Sequence, residues 1–133
     1  MNELDHARAL LSMAEKDCRA LRGMLDREIF AEEIFGFHAQ QTVEKALKAW
    51  IAALGKEYSL THNIARLLDI LQNLKADIAD LWDLTEYTAY AVEFRYGGLH
   101  LVEEPLDRST VLVRMEELLH RVARVIEKRS KVP

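Results

Sequence analysis

The sequence predicts an all-α fold, an up-and-down bundle of four long helices plus a shorter one. Two observations predict it. Apolar residues recur at alternating steps of three and four along most of the 133 residues, and no segment alternates with period two for long enough to make a strand. Neither a repeat nor a low-complexity linker interrupts the pattern, so the helices are expected to join through short connections within one domain spanning residues 1–133.

The first helix carries Leu4, Ala7, Leu11, Ala14, Cys18, Leu21 and Leu25 on one stripe, and Gly23 with Asp26 marks its end. The second runs from about Ile29 to Leu54 with Ile34, Phe37, Gln41, Glu44, Leu47, Ile51 and Leu54 in step, Trp50 widening the apolar face and Gly55 as its C-terminal stop. Two of those stripe positions, Gln41 and Glu44, are polar. Ser59 or Thr61 in the polar stretch "KEYSLTHN" is available to cap a short third helix built on Ile64, Leu67, Leu68, Leu71 and Leu74. The break after it is weakly signalled. A fourth helix is expected from about Asp77 through Ile78, Leu81, Trp82, Thr85, Ala89 and Val92 to Arg95, closed by Gly97 and Gly98. Pro105 suits the first turn of a fifth helix, whose stripe is Leu112, Met115, Leu119, Val122 and Ile126.

Composition narrows the class. Half the residues are hydrophobic and 30 % are charged, ordinary values for a globular protein. With a formal charge of −4 the whole molecule is not drawn to nucleic acid, so RNA binding would require a local basic patch. Cys18 is the single cysteine, which excludes an internal disulfide and a multi-cysteine zinc site; it reads as a small apolar residue of a helix face. Charges stand where a signal peptide would carry its apolar core, and no apolar run approaches the ~20 residues of a membrane span, so a cytoplasmic protein without membrane association is expected.

Three local patterns carry chemistry: the run Gln41 to Lys48 ("QTVEKALK"), the turn Thr61-His62-Asn63, and "RYGGLH", in which Arg95 and His100 are separated by four residues. In this order, and over about Glu3 to Lys128, they resemble the HEPN family of small helical domains. In the ribonuclease branch of that family, the arginine and histidine of the last motif form a metal-independent active site where two chains meet across a homodimer axis. The resemblance implies that Arg95 holds the scissile phosphate, that His100 shuttles a proton between the ribose 2′-hydroxyl and the leaving oxygen, and that a 2′,3′-cyclic phosphate is formed. It also implies a toxin–antitoxin-type module with a minimal nucleotidyltransferase as partner, no cofactor, and RNA as substrate; the family's other branch binds nucleotides or serves as a scaffold for such a nucleotidyltransferase without cutting RNA. Many toxin members carry a tyrosine two residues after the histidine, where the partner can attach adenylate. This chain has Val102 there.

The residue types suit the reaction on physical grounds. A guanidinium matches phosphate oxygens as a planar fork and stays charged, while an imidazole accepts and returns a proton near neutral pH. Five residues along an unbroken helix turn through about 500°, leaving the two side chains about 140° apart. Gly97 and Gly98 break the helix and let His100 turn back. The plainer reading, with Arg95 at a helix C-terminus and His100 in a solvated loop, stands beside it.

Glu44, a carboxylate on an apolar stripe, needs a partner: Arg95 from the fourth helix, or Lys48 one turn on. Lys45, Lys48 and His62 are candidate contacts to RNA or a nucleotide, with a solvated face and a helix-start hydrogen bond as the structural alternatives. Tyr87, Tyr90, Phe94 and Tyr96 crowd the approach to the motif and are expected in the core or a dimer interface, Tyr96 supporting the site from within it. Two Glu-x-x-His pairs, Glu3 with His6 and Glu117 with His120, have the spacing of bundle metal ligands, but no metal site is expected from a pair at a fraying terminus.

Overall fold

The computed structural model describes residues 2–93 and 105–131. Their elements in order are α1 (Glu3–Gly23), α2 (Glu32–Ala53), α3 (Ile64–Asn73), a 3-10 segment (Ala79–Tyr87), α4 (Thr88–Glu93) and α5 (Arg108–Ser130). The fold is an all-α bundle, as the periodicity predicts. Among the described residues no helix is long and apolar enough to cross a membrane.

α2 is the central element. It packs on α1, α3, α4, the 3-10 segment and α5, and so buries Phe35, Ala39, Val43, Ala46, Leu47, Ala49, Trp50 and Ile51 around most of its circumference. A single amphipathic stripe is too narrow a description of it. Four alanines between residues 46 and 53 keep this all-round packing close.

The outer helices keep one apolar face each: α1 follows its expected stripe, while in α5 Val111 and Leu118 take the buried places and the expected Leu112 and Leu119 are half-buried beside them. α1 buries Ala7, Ala14, Cys18 and Leu21, while Leu25, expected on the same stripe, lies beyond the helix end and is 42 % exposed. Burial pushes the Cys18 thiol up to about 11, so it stays protonated at neutral pH and serves as a small apolar side chain. α5 buries Val111, Met115, Leu118, Val122 and Ile126.

Several expected boundaries move, each for a local reason. α2 starts at Glu32 rather than near Ile29, because Asp26 organises a turn: its side chain accepts from Glu28 N–H and its carbonyl from Phe30 N–H. The cap of α3 is Asn63, whose side chain accepts from Ala65 N–H; Thr61 instead accepts from Asn63 N–H, one step earlier, and Ser59 makes no cap. Pro105 lies before α5, and Asp107 caps that helix by accepting from Thr110 N–H, since a carboxylate acceptor satisfies an open donor and proline only lacks one.

The fourth helix differs most. Within the described residues it is the 3-10 segment followed by the short α4, and the residues buried along it are Ile78, Leu81, Leu84, Tyr87, Tyr90 and Ala91. From Ile78 to Tyr90 their spacing is three, and side chains at i and i+3 eclipse in a 3-10 helix with three residues per turn. The stripe expected from a 3.6-residue turn fails here: Trp82 and Thr85 are half-buried and Ala89 is exposed.

α2 and α3 end in the same way. Lys56 N–H reaches the Ile51 carbonyl and Gly55 N–H the Ala52 carbonyl, with Gly55 at φ 79°; Ala76 N–H reaches Leu71 and Lys75 N–H reaches Gln72, with Lys75 at φ 64°. The second termination lacks the glycine that advertises the first. That explains why the break after α3 is faint in the sequence.

Candidate functional site

The polar groups that α2 carries into the interior gather in two clusters. In the first, Glu44 is only 5 % exposed, yet its carboxylate accepts from Lys48 Nζ at 2.9 Å, Gln40 Nε2 at 2.8 Å and His62 Nδ1 at 2.8 Å. Gln40 also donates to the His62 carbonyl, which ties the turn before α3 to α2 twice. Lys48 lies 5.5 Å above the Tyr58 ring, and the Tyr58 hydroxyl is 2.7 Å from His6 Nε2, with the two rings stacked. One buried carboxylate thereby joins α2, the α2–α3 loop, the start of α3 and the start of α1.

Burial by itself would raise the Glu44 carboxyl, but the hydrogen bonds from Lys48, Gln40 and His62 and the lysine's charge outweigh it and hold the group below the ordinary value. The ionised carboxylate accepts the Nδ1 proton of His62, which directs Nε2 of a half-exposed imidazole away from Glu44. An oriented imidazole that shares its carboxylate with a lysine ammonium can donate to an anionic ligand. It cannot by itself hold a metal: no group of three or more His, Cys, Asp or Glu residues in metal-binding arrangement occurs among the described residues.

The second cluster faces α1. Asp17 accepts from Lys45 Nζ at 2.7 Å and lies 2.9 Å from His38 Nδ1, while Thr42 donates to the His38 carbonyl. Burial raises the Asp17 carboxyl less than the His38 and Lys45 contacts lower it, so it too is held below its ordinary value. Both carboxylates therefore contribute stability that is fully present above their unfolded values, 4.5 for Glu44 and 3.8 for Asp17, and that is lost as pH falls through the lower folded values. Acid titration of stability, followed by circular dichroism in urea, is expected to show a decline beginning near pH 4.5, and Glu44→Gln is expected to flatten it. An unchanged acid limb in that variant would remove Glu44 from the account.

α4 is fixed to this frame at two points. Ile64 N–H donates to Thr88 Oγ1, which sets the start of α4 beside the start of α3 at the level of Gln40. One turn nearer the beginning of α2, the Tyr90 ring covers Gly36 so closely that a Cβ there would overlap it. α4 consequently runs back along α2, away from Glu44, and its last residue, Glu93, stands two positions before Arg95 in the chain.

Of the residues singled out in the sequence, Glu44, Lys48 and His62 meet in one cluster. Lys45, three residues from Lys48, turns instead to Asp17 and α1, so the two lysines are each committed to a different carboxylate. For Glu44 the i,i+4 partner is present and three donors occupy the carboxylate. Arg95, Tyr96, His100 and Val102 lie outside the described residues. Tyr87 and Tyr90 are core residues, with burial pushing both phenols up to about 12. Gln40, Tyr58, Asp17 and His38 were not legible as site residues; the seven-residue interval from His38 to Lys45, which puts both on one side of α2, is the signal that was available.

A helical bundle of this order, with the Gln41–Lys48 run on its central helix and the Thr61–Asn63 turn hydrogen-bonded to it, defines a class by its geometry. The family model of the HEPN domain matches residues 7–129, nearly the whole chain. The chain belongs to the HEPN domain family. No curated protein and no solved structure matches it.

Proposed function

We propose that this chain is a metal-independent endoribonuclease acting as a homodimer, with Arg95 holding the scissile phosphate and His100 transferring the proton. The observation that carries the reading is the Arg95–His100 motif directly after α4, a helix seated on the central helix of a HEPN domain by the Gly36–Tyr90 contact and tied to the start of α3 by the Thr88 hydrogen bond. Catalytic groups act at fixed geometry only when the element before them is itself fixed. In this reading Glu44 is a positioning residue for His62 and the turn before α3, and Lys48 with His62 supplies further contacts to RNA. A minimal nucleotidyltransferase encoded with the chain is the proposed partner, in a toxin–antitoxin-type module.

Val102 favours a second reading, the same domain as a non-catalytic nucleotide-binding or scaffold partner of that nucleotidyltransferase, because the tyrosine that would receive adenylate is absent. Labelled single-stranded RNA incubated with the purified protein in EDTA separates the two. The ribonuclease reading expects cleavage to cyclic-phosphate ends, reduced at least about a hundredfold in both Arg95→Ala and His100→Ala, the order of effect of removing a general acid–base or a transition-state charge partner. Cleavage retained in both variants, or absent from the parent protein, rejects it.

A further inference from the structure

The segment before α4 carries two helical periods at once. Ile78, Leu81, Leu84, Tyr87 and Tyr90 recur every three residues and are buried, whereas Ile78, Leu81, Trp82, Thr85 and Ala89 would share one side of an α-helix. The fold satisfies the first set with a 3-10 helix of nine residues, Ala79–Tyr87, and leaves Trp82 and Thr85 half-buried and Ala89 exposed. Runs of 3-10 helix longer than three or four residues are uncommon, because their hydrogen bonds are poorly aligned. A run of this length needs support from outside itself.

That support comes from α5 at one end and α2 at the other. Arg114 donates to the Asp80 carbonyl at 2.6 Å and to the Asp83 carboxylate at 2.8 Å. Arg121 holds the Asp80 carboxylate through bonds of 2.9 and 2.6 Å and lies 3.4 Å from the Asp77 carbonyl. The Arg121 hydrogen bonds keep the Asp80 carboxyl at about 2, so the grip is made throughout the neutral range. All four side chains reach solvent, and exposed ion pairs stabilise only weakly, so the arginines bias the segment rather than lock it. Beyond the segment, the Tyr90 ring sits on Gly36.

We propose that Ala79–Tyr87 is a two-state hinge, held by Arg114 and Arg121 in the extended 3-10 form that seats Tyr90 on Gly36, and that it winds into an α-helix when the grip is released. A 3-10 helix rises about 2.0 Å and turns about 120° per residue, against about 1.5 Å and about 100° in an α-helix. Winding nine residues therefore draws α4 back by about 4.5 Å and rotates it by about 180°, which takes Tyr90 off Gly36 and turns Trp82 inward. α5 thereby controls where α4 delivers the chain two positions before Arg95. This last step, which makes Arg114 and Arg121 positioning residues, rests on the ribonuclease reading; the hinge itself does not.

The test compares the parent protein with Arg114→Gln/Arg121→Gln and with Asp80→Asn/Asp83→Asn by nuclear magnetic resonance. The parent is expected to show α-proton to amide contacts at i,i+2 across residues 79–87, and both variants contacts at i,i+4, with loss of the Gly36–Tyr90 contact. Trp82 emission, isolated by comparison with Trp82→Phe, is expected to move to shorter wavelength in both. The aspartate variant changes only exposed side chains, so it keeps the test decisive should the arginine variant fail to fold. RNA cleavage is expected to fall at least about tenfold in kcat in both. The aspartate variant removes no cation, so its loss is not one of attraction for RNA. Asp80→Arg/Arg121→Asp, which restores the pair with its charges exchanged, is expected to recover the 3-10 pattern. Variants that keep the i,i+2 pattern and the Gly36–Tyr90 contact overturn the hinge. Winding with undiminished cleavage overturns the positioning role, and in a parent protein that cuts no RNA the spectroscopic result alone decides the hinge.

Discussion

Gly36→Ala is expected to lower the stability of this protein by about 2–3 kcal/mol, at the upper end of overpacking costs in well-packed cores. The added methyl would occupy the space of Tyr90 Cδ1 and Cε1, and the ring cannot retreat because Tyr90 is 1 % exposed and lies within the core. Either the ring leaves its place or α4 lifts from α2. Both movements disturb the segment that leads to Arg95, so RNA cleavage is expected to fall further than the loss of folded protein accounts for. Urea denaturation of Gly36→Ala, Tyr90→Leu and the double variant forms the test. Contacting residues couple, and the double variant should be more stable than the sum of the single losses predicts. Wild-type stability in Gly36→Ala, or strict additivity, would show that the contact does not hold α4.

Arg108→Met is expected to cost about 3–5 kcal/mol, the range for removing a buried charged group whose partners are left behind. The side chain is 3 % exposed; its guanidinium donates to the carbonyls of Met24 and Phe30 at 2.8 Å, lies 3.4 Å from a Glu32 carboxylate oxygen and sits 4.8 Å above the Phe35 ring. Glu32 in turn accepts from Leu106 N–H, and Arg27 donates to the Leu106 carbonyl. A single side chain therefore closes the α1–α2 connection over the start of α5. Methionine fills much of the volume and supplies none of the donors, leaving buried carbonyls open at about 1–3 kcal/mol each. Arg108→Lys should recover only part of the loss, because an ammonium on a flexible stem cannot span carbonyls on both sides of the loop. Thermal melting is the direct measurement, and a decrease of a few degrees or less would place the loop's stability elsewhere. The residue had a sequence signal of its own: an arginine in the first turn of a helix opposes the macrodipole and needs another reason to be there.

Particular residues show how far sequence reasoning reaches. Ala7, Ala14, Cys18 and Leu21 in α1, and Met115, Val122 and Ile126 in α5, were readable because each of those helices faces the core on one side only. α2 was read with a single stripe although it is enclosed by five elements, and amphipathic periodicity fades when every direction is inward. The run Ile78, Leu81, Leu84, Tyr87 was plainly present at a spacing of three and was measured against the wrong turn. The motif Arg95–His100 was visible as a pattern because it depends on residue identity and local spacing. Of the partners of Glu44, Lys48 was legible as the i,i+4 candidate, whereas Gln40 one turn back and His62 eighteen positions away were not.

The sequence by itself determined the all-helical class, the stop at Gly55, the outer helix faces and the family, all of which follow from local spacing, backbone preference and motif order. Only the tertiary structure decided that Glu44 is satisfied by Lys48, Gln40 and His62, that Lys45 belongs to Asp17, and that Gly36 is a seat for Tyr90. Those outcomes depend on side chains far apart in the chain meeting in a low-dielectric interior, where each buried polar group must find a partner and each packed ring needs a vacant volume. Local preference carries no information about which distant residue supplies either.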